Sequence, residues 1–146
     1  MSKVVEKLNQ IQADALVLSV QFHNYHWNVK GSQFHAIHEA TECAYTHLGE
    51  LFDEVAERAL MIGGKALVCP KELTEKAKCP RVKADSFSCK EVVELVKKDY
   101  TYLLEQFNEL AEIADEADDR VTVALAEDNI AKYEKELWML RQTLAE

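Results

Sequence analysis

Apolar residues recur at alternating steps of three and four along four long segments of the chain. This spacing is typical of amphipathic α-helices whose apolar faces pack together. The 146 residues include only 4 glycines and 2 prolines, too few for the many turns of a β-sandwich or β-barrel. Hydrophobic residues make up 48% of the chain, which is enough for the core of one domain. The four apolar segments cover residues 4–29, 34–62, 89–114 and 123–144.

Residues that begin or end helices lie at the boundaries of these segments. Gly31 is placed to end the first helix, and Ser32 can cap the second. The Gly63-Gly64 pair marks the end of the second helix, and an acidic break over residues 115–119 separates the third from the fourth. The sequence therefore predicts four helices with defined ends.

The connections between the four helices are short, long and short. The long one, residues 63–88, contains both prolines, and Pro70 predicts a short helix within it. Ser88 and Glu91 form a capping-box pattern just before the third helix. One long crossover is the arrangement of ferritin-like bundles. We therefore predict an all-α, ferritin-like four-helix bundle with a short helix in the crossover, as a single domain over residues 1–146.

The charge and hydropathy of the chain exclude several classes of protein. Its 26 acidic and 17 basic residues give a net charge of −9, which argues against a generic basic nucleic-acid binder. No charge-free apolar run approaches the roughly 20 residues that cross a bilayer, so no membrane partner is expected. The first residues lack the apolar stretch of a signal peptide, and we expect a cytoplasmic protein.

The four cysteines are predicted to be reduced, structural thiols. No pair has the C-x-x-C spacing of a zinc knuckle or a redox dithiol. A chain without a leader is expected to stay in a reducing compartment. Cys43 falls within the second helix, and Cys69, Cys79 and Cys89 fall in or beside the crossover.

All five histidines lie in the first third of the chain, and the third and fourth helices contain none. The usual di-iron bundle places a Glu-x-x-His motif on each of two helices. No helix of this sequence carries that motif, which excludes an ordinary di-iron site inside the bundle. The histidines are His23, His26, His35, His38 and His47.

The second helix carries four ligand-type side chains along one stripe. At about 100° per residue, with His38 set to zero, Glu42 lies near 40°, Asp53 near 60° and Glu57 near 100°. Four apolar residues of the same helix, Ile37, Leu48, Val55 and Ile62, fall between about −80° and −120°. The stripe is therefore predicted to face well away from the bundle core.

The length of the helix separates the stripe into two pairs. Glu42 and Asp53 are eleven residues apart, or roughly 16 Å along a helix, whereas two metals in one site lie only about 3.5 to 4 Å apart. A second, antiparallel copy would bring His38 and Glu42 of one chain to Asp53 and Glu57 of the other. Both pairings share a midpoint at position 47.5, so the spacing predicts two intersubunit metal sites.

A solvated helix face is the alternative interpretation of the same stripe. Charged pairs four residues apart are common on exposed helices of acidic proteins. Gly49, which lies on the stripe close to the midpoint, favours the metal site. A glycine within a helix costs about 1 kcal/mol relative to alanine, so a close packing contact would account for it.

Two motifs resemble those of the Dps family, the DNA-protecting mini-ferritins. They are H-W-N-V-K-G at residues 26–31, followed by Phe34 and His38, and F-D-E-V-A-E-R at residues 52–58. The likeness covers essentially the whole chain, including Trp138 in the last helix. The acidic balance and short N-terminus are most similar to the neutrophil-activating, iron-storing branch.

The resemblance implies a homododecameric shell with iron sites at its two-fold interfaces. Carried over by motif, His26, His38 and Glu42 would come from one chain, and Asp53 and Glu57 from its partner. Asp53, Glu57 and His26 would hold the first iron, and His38 and Glu42 a second iron or a water. Many family members have aspartate where this chain has Glu42, and the longer side chain could change occupancy of the second position.

The reaction implied by the resemblance is ferroxidase activity: oxidation of Fe(II), preferably by hydrogen peroxide, with storage of ferric mineral and protection from oxidative stress. Trp27 resembles the family's aromatic residue that absorbs stray oxidising equivalents, with packing as its alternative role. Acidic residues near the start of the last helix line the family's pores, and a solvated turn is the alternative here. The candidates are Asp115, Asp118, Asp119, Glu127 and Asp128.

DNA is the family partner that this sequence disfavours. Only Lys3 and Lys7 precede or begin the first helix, and a shell of net charge near −108 would repel DNA at physiological salt. A DNA-compacting structural protein with little ferroxidase activity, in which the stripe is only a polar seam, is nevertheless the competing hypothesis.

Overall fold

Four long helices and one short helix dominate the computed structural model, which describes residues 2–145. Helix α1 packs along α2 and α4 along α5, and the two hairpins meet through α1 and α4. This arrangement confirms the predicted all-α, ferritin-like bundle with a helix in its crossover. In chain order the elements are α1 (Lys3–Asn28), β1 (Val29–Lys30), α2 (Phe34–Met61), α3 (Pro70–Lys76), β2 (Phe87–Ser88), α4 (Cys89–Glu116) and α5 (Arg120–Leu144).

The core is formed by the apolar faces that the periodicity predicted. Side chains from α1, α2 and α4 are almost completely removed from water, and Tyr133 closes the core from α5. Burial of large apolar side chains contributes roughly 1.5 to 3 kcal/mol each, so this core is the main source of stability. Its largest apolar members include Leu8, Ile11, Leu18, Phe22, Leu48, Val55, Leu103, Phe107 and Leu110.

The first predicted helix is one residue too long. Helix α1 ends at Asn28, and Val29 is extended and buried rather than helical. Its backbone pairs in parallel with Phe87, just before α4. This two-residue ladder was missed because its partner lies 58 residues further along the chain, where helical periodicity carries no information.

The sequence analysis predicted Ser32 as the N-cap of α2, and this prediction is wrong. The cap is Gln33, whose side chain makes no capping hydrogen bond. Gly31 has a φ of +137°, a conformation that favours glycine, and its carbonyl accepts a hydrogen bond from the Phe34 amide at 3.0 Å. The turn therefore closes through the backbone, and the serine hydroxyl is not needed.

The predicted capping box of α4 is confirmed. The Glu91 amide donates to Ser88 Oγ at 3.1 Å, and the Ser88 amide donates to Glu91 Oε1 at 2.9 Å. The hydrogen bonds from Ser88 hold the pKa of the Glu91 carboxyl below its usual value. At the start of the long crossover, Gly63 follows the end of α2 with a φ of +89°.

Buried polar side chains of α1 hold the crossover against the bundle. Asp14 is fully buried, and its Oδ1 accepts hydrogen bonds from the amides of Lys78 and Cys79 at 2.7 and 2.9 Å. Its Oδ2 accepts from the Tyr102 hydroxyl at 2.8 Å and from Gln10. Asp14 therefore links the crossover to both α1 and α4.

Two glutamines repeat this arrangement along the same helix. Gln12 both donates to and accepts from the backbone of Leu67. Gln21 accepts from the Val82 amide at 2.8 Å and donates to the Pro80 carbonyl at 3.1 Å. Side chains of α1 thus hold residues 67–82 through hydrogen bonds to the backbone of that segment. These bonds explain how a segment with little helical periodicity holds one conformation.

The four cysteines are free thiols. Cys79 is buried where the crossover meets α1, and burial, together with the neighbouring Asp14 carboxylate, raises the pKa of its thiol to about 12. Cys43 and Cys69 are exposed, and Cys89 is half-buried at the first position of α4.

Asp99 is a second buried carboxylate, on α4. It accepts hydrogen bonds from the Tyr25 hydroxyl at 2.6 Å and from Gln21 Nε2 at 3.2 Å. Burial raises its pKa from an ordinary 3.8 to about 6, although both hydrogen bonds oppose the rise. Because the folded state binds this proton more tightly, Asp99 stabilises the fold below pH 4, and that contribution is lost as the pH rises through 6.

We therefore expect the unfolding free energy of the parent to fall by about 1 kcal/mol relative to an Asp99→Asn variant between pH 5 and pH 8. The asparagine oxygen can accept both hydrogen bonds, but the side chain does not titrate. Denaturant unfolding of both proteins at several pH values measures the difference. A difference that stays constant across this range would contradict the assignment.

No helix within residues 2–145 is long and apolar enough to span a membrane.

Candidate functional site

The polar stripe of α2 faces away from the core, as the helical geometry predicted. Glu42, Asp53 and Glu57 are exposed, and His38 is half-buried. The opposite face of α2 is buried and carries Ile37, Thr41, Ala44, Leu48, Leu51, Val55 and Ala59. The three carboxylates of the stripe therefore lie on the surface of a single chain and not in the bundle interior.

His26 at the end of α1 and His38 at the start of α2 form a stacked pair. Their ring centroids are 3.6 Å apart, and the ring planes are inclined by 13°. Each Nδ1 donates to the backbone carbonyl of the other histidine, at 2.7 and 2.8 Å. The short turn between α1 and α2 allows this reciprocal pair, since it brings the two helix ends side by side.

These hydrogen bonds determine which ring nitrogen is available. A carbonyl oxygen only accepts, so each Nδ1 must carry a hydrogen, and the neutral ring then has its lone pair on Nε2. Among the described residues, no hydrogen bond uses Nε2 of His26 or His38. Histidine ligands of metals are commonly oriented in this way, by a backbone carbonyl on the other nitrogen.

Thr41 supports the pair and was not predicted as a site residue. Its hydroxyl donates to the Ile37 carbonyl at 2.7 Å and lies 3.2 Å from His26 Nδ1, from which it can accept. The available signal was a hydroxyl on the apolar line of α2, three residues after His38. Such a polar residue, buried in the structure, needs a hydrogen-bond partner.

The three carboxylates of the stripe do not reach the histidine pair. Within residues 2–145, no group of three or more His, Cys, Asp or Glu side chains is placed to hold a metal ion. Asp53 and Glu57 line a surface depression of about 410 Å³ that also includes Val121 of α5. The structure therefore brings together His26 and His38 only, and the five-residue site stays a prediction that needs a second copy.

Gly49 faces open space among the residues that the structure describes. A Cβ atom built on it would meet nothing within 4 Å. The reason for a glycine at this exposed helical position is therefore not found in the contacts of one chain.

Arg58 fixes the end of α2 that carries Glu57. Its Nη2 donates to Asp119 Oδ1 and its Nε to Thr122 Oγ1, both at 2.9 Å. Asp119 is also the N-cap of α5, accepting from the Thr122 amide. Partial burial alone would raise the pKa of Asp119, but the hydrogen bonds from Thr122 and Arg58 and the arginine charge hold it below its usual value.

Asp119 is therefore occupied within the fold, in contrast to the other acidic candidates for a pore. Its carboxylate caps a helix and pairs with a cation, which leaves it poorly placed to attract ions. Asp115, Asp118, Glu127 and Asp128 are exposed, and Asp118 adopts a positive φ of 57° in the turn before α5.

The comparisons with known proteins agree with this architecture. A family model described as a ferritin-like domain matches residues 5–146. The DNA protection during starvation protein of Helicobacter pylori is 42% identical over 98% of this chain and 99% of its own length. The crystal structure of Helicobacter cinaedi CAIP superposes with a TM-score of 0.95 at 44% identity, covering 98% of this chain and all of that one.

A second similar structure connects the fold to metal chemistry. The Dps protein of Vibrio cholerae has a TM-score of 0.91 at 30% identity, over 98% of this chain and 89% of its own. That protein is described as a member of a superfamily of ferritin-like diiron-carboxylate proteins. The fold and the sequence matches define a ferritin-like protein. Within that class, the chain belongs to the Dps family.

Proposed function

We propose that this chain is an iron-storing ferroxidase that oxidises Fe(II), preferably with hydrogen peroxide, at sites shared between two copies of a homododecamer. The observation that carries the proposal is the reciprocal hydrogen bonding of His26 and His38, which leaves both Nε2 lone pairs available. The relationship to a diiron-carboxylate Dps protein supports iron as the metal. Deposition of ferric mineral inside the shell would protect the cell from oxidative stress.

The proposed ligand set divides by chemistry. Asp53 and Glu57 of a second copy supply hard oxygen ligands for the first Fe(II), and His26 completes that position. His38 and Glu42 hold a second Fe(II) or a water. When both positions hold Fe(II), the two ions supply the two electrons that, with two protons, reduce one hydrogen peroxide to two waters. No hydroxyl radical leaves a site that works in this way.

The histidines contribute orientation as well as ligation. The backbone carbonyl of one histidine holds the ring of the other in place. Each side chain therefore loses little conformational freedom when its Nε2 binds Fe(II). The side-chain carboxylates of Glu42, Asp53 and Glu57 make no hydrogen bond or ion pair within residues 2–145. Metal binding therefore does not have to break an existing contact.

A double Asp53→Asn, Glu57→Gln variant tests the proposal. We expect it to lose peroxide-driven Fe(II) oxidation, because uncharged amides do not replace carboxylates as ligands. Absorbance of Fe(III) after anaerobic loading and addition of peroxide measures the rate. A Glu75→Gln, Asp85→Asn variant, with the same charge change at exposed residues of the crossover, is the matched control. A double variant as fast as the parent would overturn the enzyme assignment.

DNA protection is the second candidate function, and one observation favours it. Residues 63–88 contain six basic and three acidic residues, so the crossover is positively charged within an acidic chain. All six basic side chains are exposed. Salt-sensitive retardation of DNA, together with Fe(II) oxidation no faster than that of the double variant, would select this function. The six are Lys65, Lys71, Lys76, Lys78, Arg81 and Lys83.

A further inference from the structure

Cys43 and His47 lie one turn apart on the exposed side of α2, outside the proposed iron ligand set. Both residues are exposed, and Cys43 is a free thiol. Residues four apart on a helix have Cβ atoms about 5 to 6 Å apart. The two histidines of an H-E-x-x-H motif have the same spacing and bind one Zn²⁺ from a single helix. A thiol and an imidazole at this separation can therefore bind one cation together.

Glu50 holds the His47 ring in one orientation. Its Oε2 lies 3.2 Å from His47 Nδ1. A carboxylate oxygen only accepts, so Nδ1 carries the hydrogen and the neutral ring has its lone pair on Nε2. In the part of the chain that the structure describes, no hydrogen bond uses Nε2 of His47. Histidine ligands of zinc are commonly oriented in this way, by a carboxylate on the other ring nitrogen.

Helix α5 brings a carboxylate to the same level of α2. The contacts of Arg58 with the start of α5 show that the two helices run antiparallel. Further along, Asn129 Nδ2 lies 3.5 Å from Glu54 Oε1. Seven residues onward on α5 and seven residues back on α2, this register places Glu136 opposite His47. A third ligand-type side chain therefore lies beside the Cys43–His47 turn.

Tyr100 of α4 gives independent evidence that Glu136 and Cys43 are neighbours. Burial raises the pKa of the Tyr100 hydroxyl well above its usual value, and the nearby Glu136 and Cys43 groups add to the rise. Glu136 and Tyr100 also line a groove of about 310 Å³, together with Ala40 and Ala44 on α2. Cys43 therefore borders the groove that Glu136 lines from the opposite helix.

We propose that Cys43, His47 and Glu136 form a binding site for Zn²⁺, with water as the fourth ligand. Thiolate, imidazole and carboxylate are all zinc ligands, and a thiolate favours Zn²⁺ over Fe(II). The Cys43 thiol releases its proton to water when the cation binds. The site shares no residue with the proposed iron ligand set, and a cation held there joins α2 to α5.

Binding requires a small rearrangement of side chains. Within residues 2–145 the three groups do not converge on one point. Cys43 and Glu136 make no hydrogen bond or ion pair among these residues, so both can rotate onto a cation without breaking an existing contact. His47 keeps its bond to Glu50 and supplies the oriented ligand.

Anaerobic titration with Co²⁺ tests the site. Co²⁺ takes the same ligands as Zn²⁺, and its bond to a thiolate gives a charge-transfer band in the near ultraviolet. Histidine and carboxylate ligands give no such band, so cobalt bound at the proposed iron sites is silent. We expect the band in the reduced, metal-free parent and its loss in Cys43→Ser. His47→Ala and Glu136→Gln should each weaken Co²⁺ binding at least about tenfold, since even partners outside the ligand shell change metal affinity by that factor.

Cys69→Ser is the matched control. Cys69 is also an exposed free thiol, but the residue four positions later is Leu73 and not a histidine. This variant is expected to keep the band. The Asp53→Asn, Glu57→Gln variant is expected to keep it as well, because those carboxylates belong to the iron ligand set.

Three results would overturn the proposal or part of it. A parent without the band, or a band that survives in Cys43→Ser, excludes the site. A band that disappears in Asp53→Asn, Glu57→Gln shows that cobalt is held with the iron ligands and also excludes a separate site. An unchanged Co²⁺ affinity in Glu136→Gln overturns the contribution of α5. The measurement does not use iron oxidation, so its result is independent of the proposed function.

Discussion

A Gly49→Leu variant should keep its helices but lose assembly and, with it, iron oxidation. Gly49 is exposed on the ligand-bearing stripe, and within residues 2–145 no atom outside its own turn of helix lies within 4 Å of the position a Cβ would take. In one chain leucine is therefore harmless, and a better helix former than glycine by several tenths of a kcal/mol. In the proposed antiparallel pair of α2 helices, the same position lies next to the two-fold axis, where a leucine would separate the helices.

Size-exclusion chromatography with light scattering measures this effect. Twelve copies of the 16.6 kDa chain would elute as a shell of about 200 kDa, and Gly49→Leu should elute as a much smaller species with unchanged circular dichroism. His47→Leu is the control, because His47 is also exposed on α2 but lies about 160° around the helix from Gly49. A Gly49→Leu protein that assembles like the parent would contradict the proposed placement of the axis.

The Asp14→Ala substitution should destabilise the fold by about 3 to 5 kcal/mol. It leaves the buried amide of Cys79 without an acceptor, removes the acceptor of the Lys78 amide, and deprives the Tyr102 hydroxyl of its partner. Each buried polar group left unpaired costs roughly 1 to 3 kcal/mol. Denaturant unfolding at constant protein concentration measures the loss.

An Asp14→Asn variant separates hydrogen bonding from charge. Its side-chain oxygen can still accept from both crossover amides, and its amide group can donate to Tyr102. We therefore expect a clearly smaller loss of stability than in Asp14→Ala. Equal losses in the two variants would show that the hydrogen bonds to the crossover contribute little.

The helices were predictable because their signal is local. An apolar face repeats within one element, so the bounds of α4 and its capping box at Ser88 follow from neighbouring residues alone. The contacts of Asp14 and Gln21 with the crossover were not predictable, because they join positions about 60 residues apart. They also use backbone amides of the crossover, which every residue type except proline has, so the sequence does not mark them. The parallel pairing of Val29 with Phe87 was missed for the same reason.

In the candidate site, too, the local features were predictable and the contacts between elements were not. The common face of Glu42, Asp53 and Glu57 follows from the angle per residue on one helix, and their exposure agrees with it. The reciprocal bonds between His26 and His38 depend on how a turn places two helix ends, which spacing does not specify. Completion of the site by a second chain remains a prediction, for it depends on contacts beyond those of one chain.

The burial of Cys79 has a consequence for survival in the presence of hydrogen peroxide. Peroxide attacks the thiolate form of cysteine, and a thiol whose pKa is about 12 remains almost entirely protonated at neutral pH. Sulfenic acid formation is thereby suppressed at the point where the crossover is anchored. The oxidant proposed as the substrate would therefore leave this contact between the crossover and α1 unmodified.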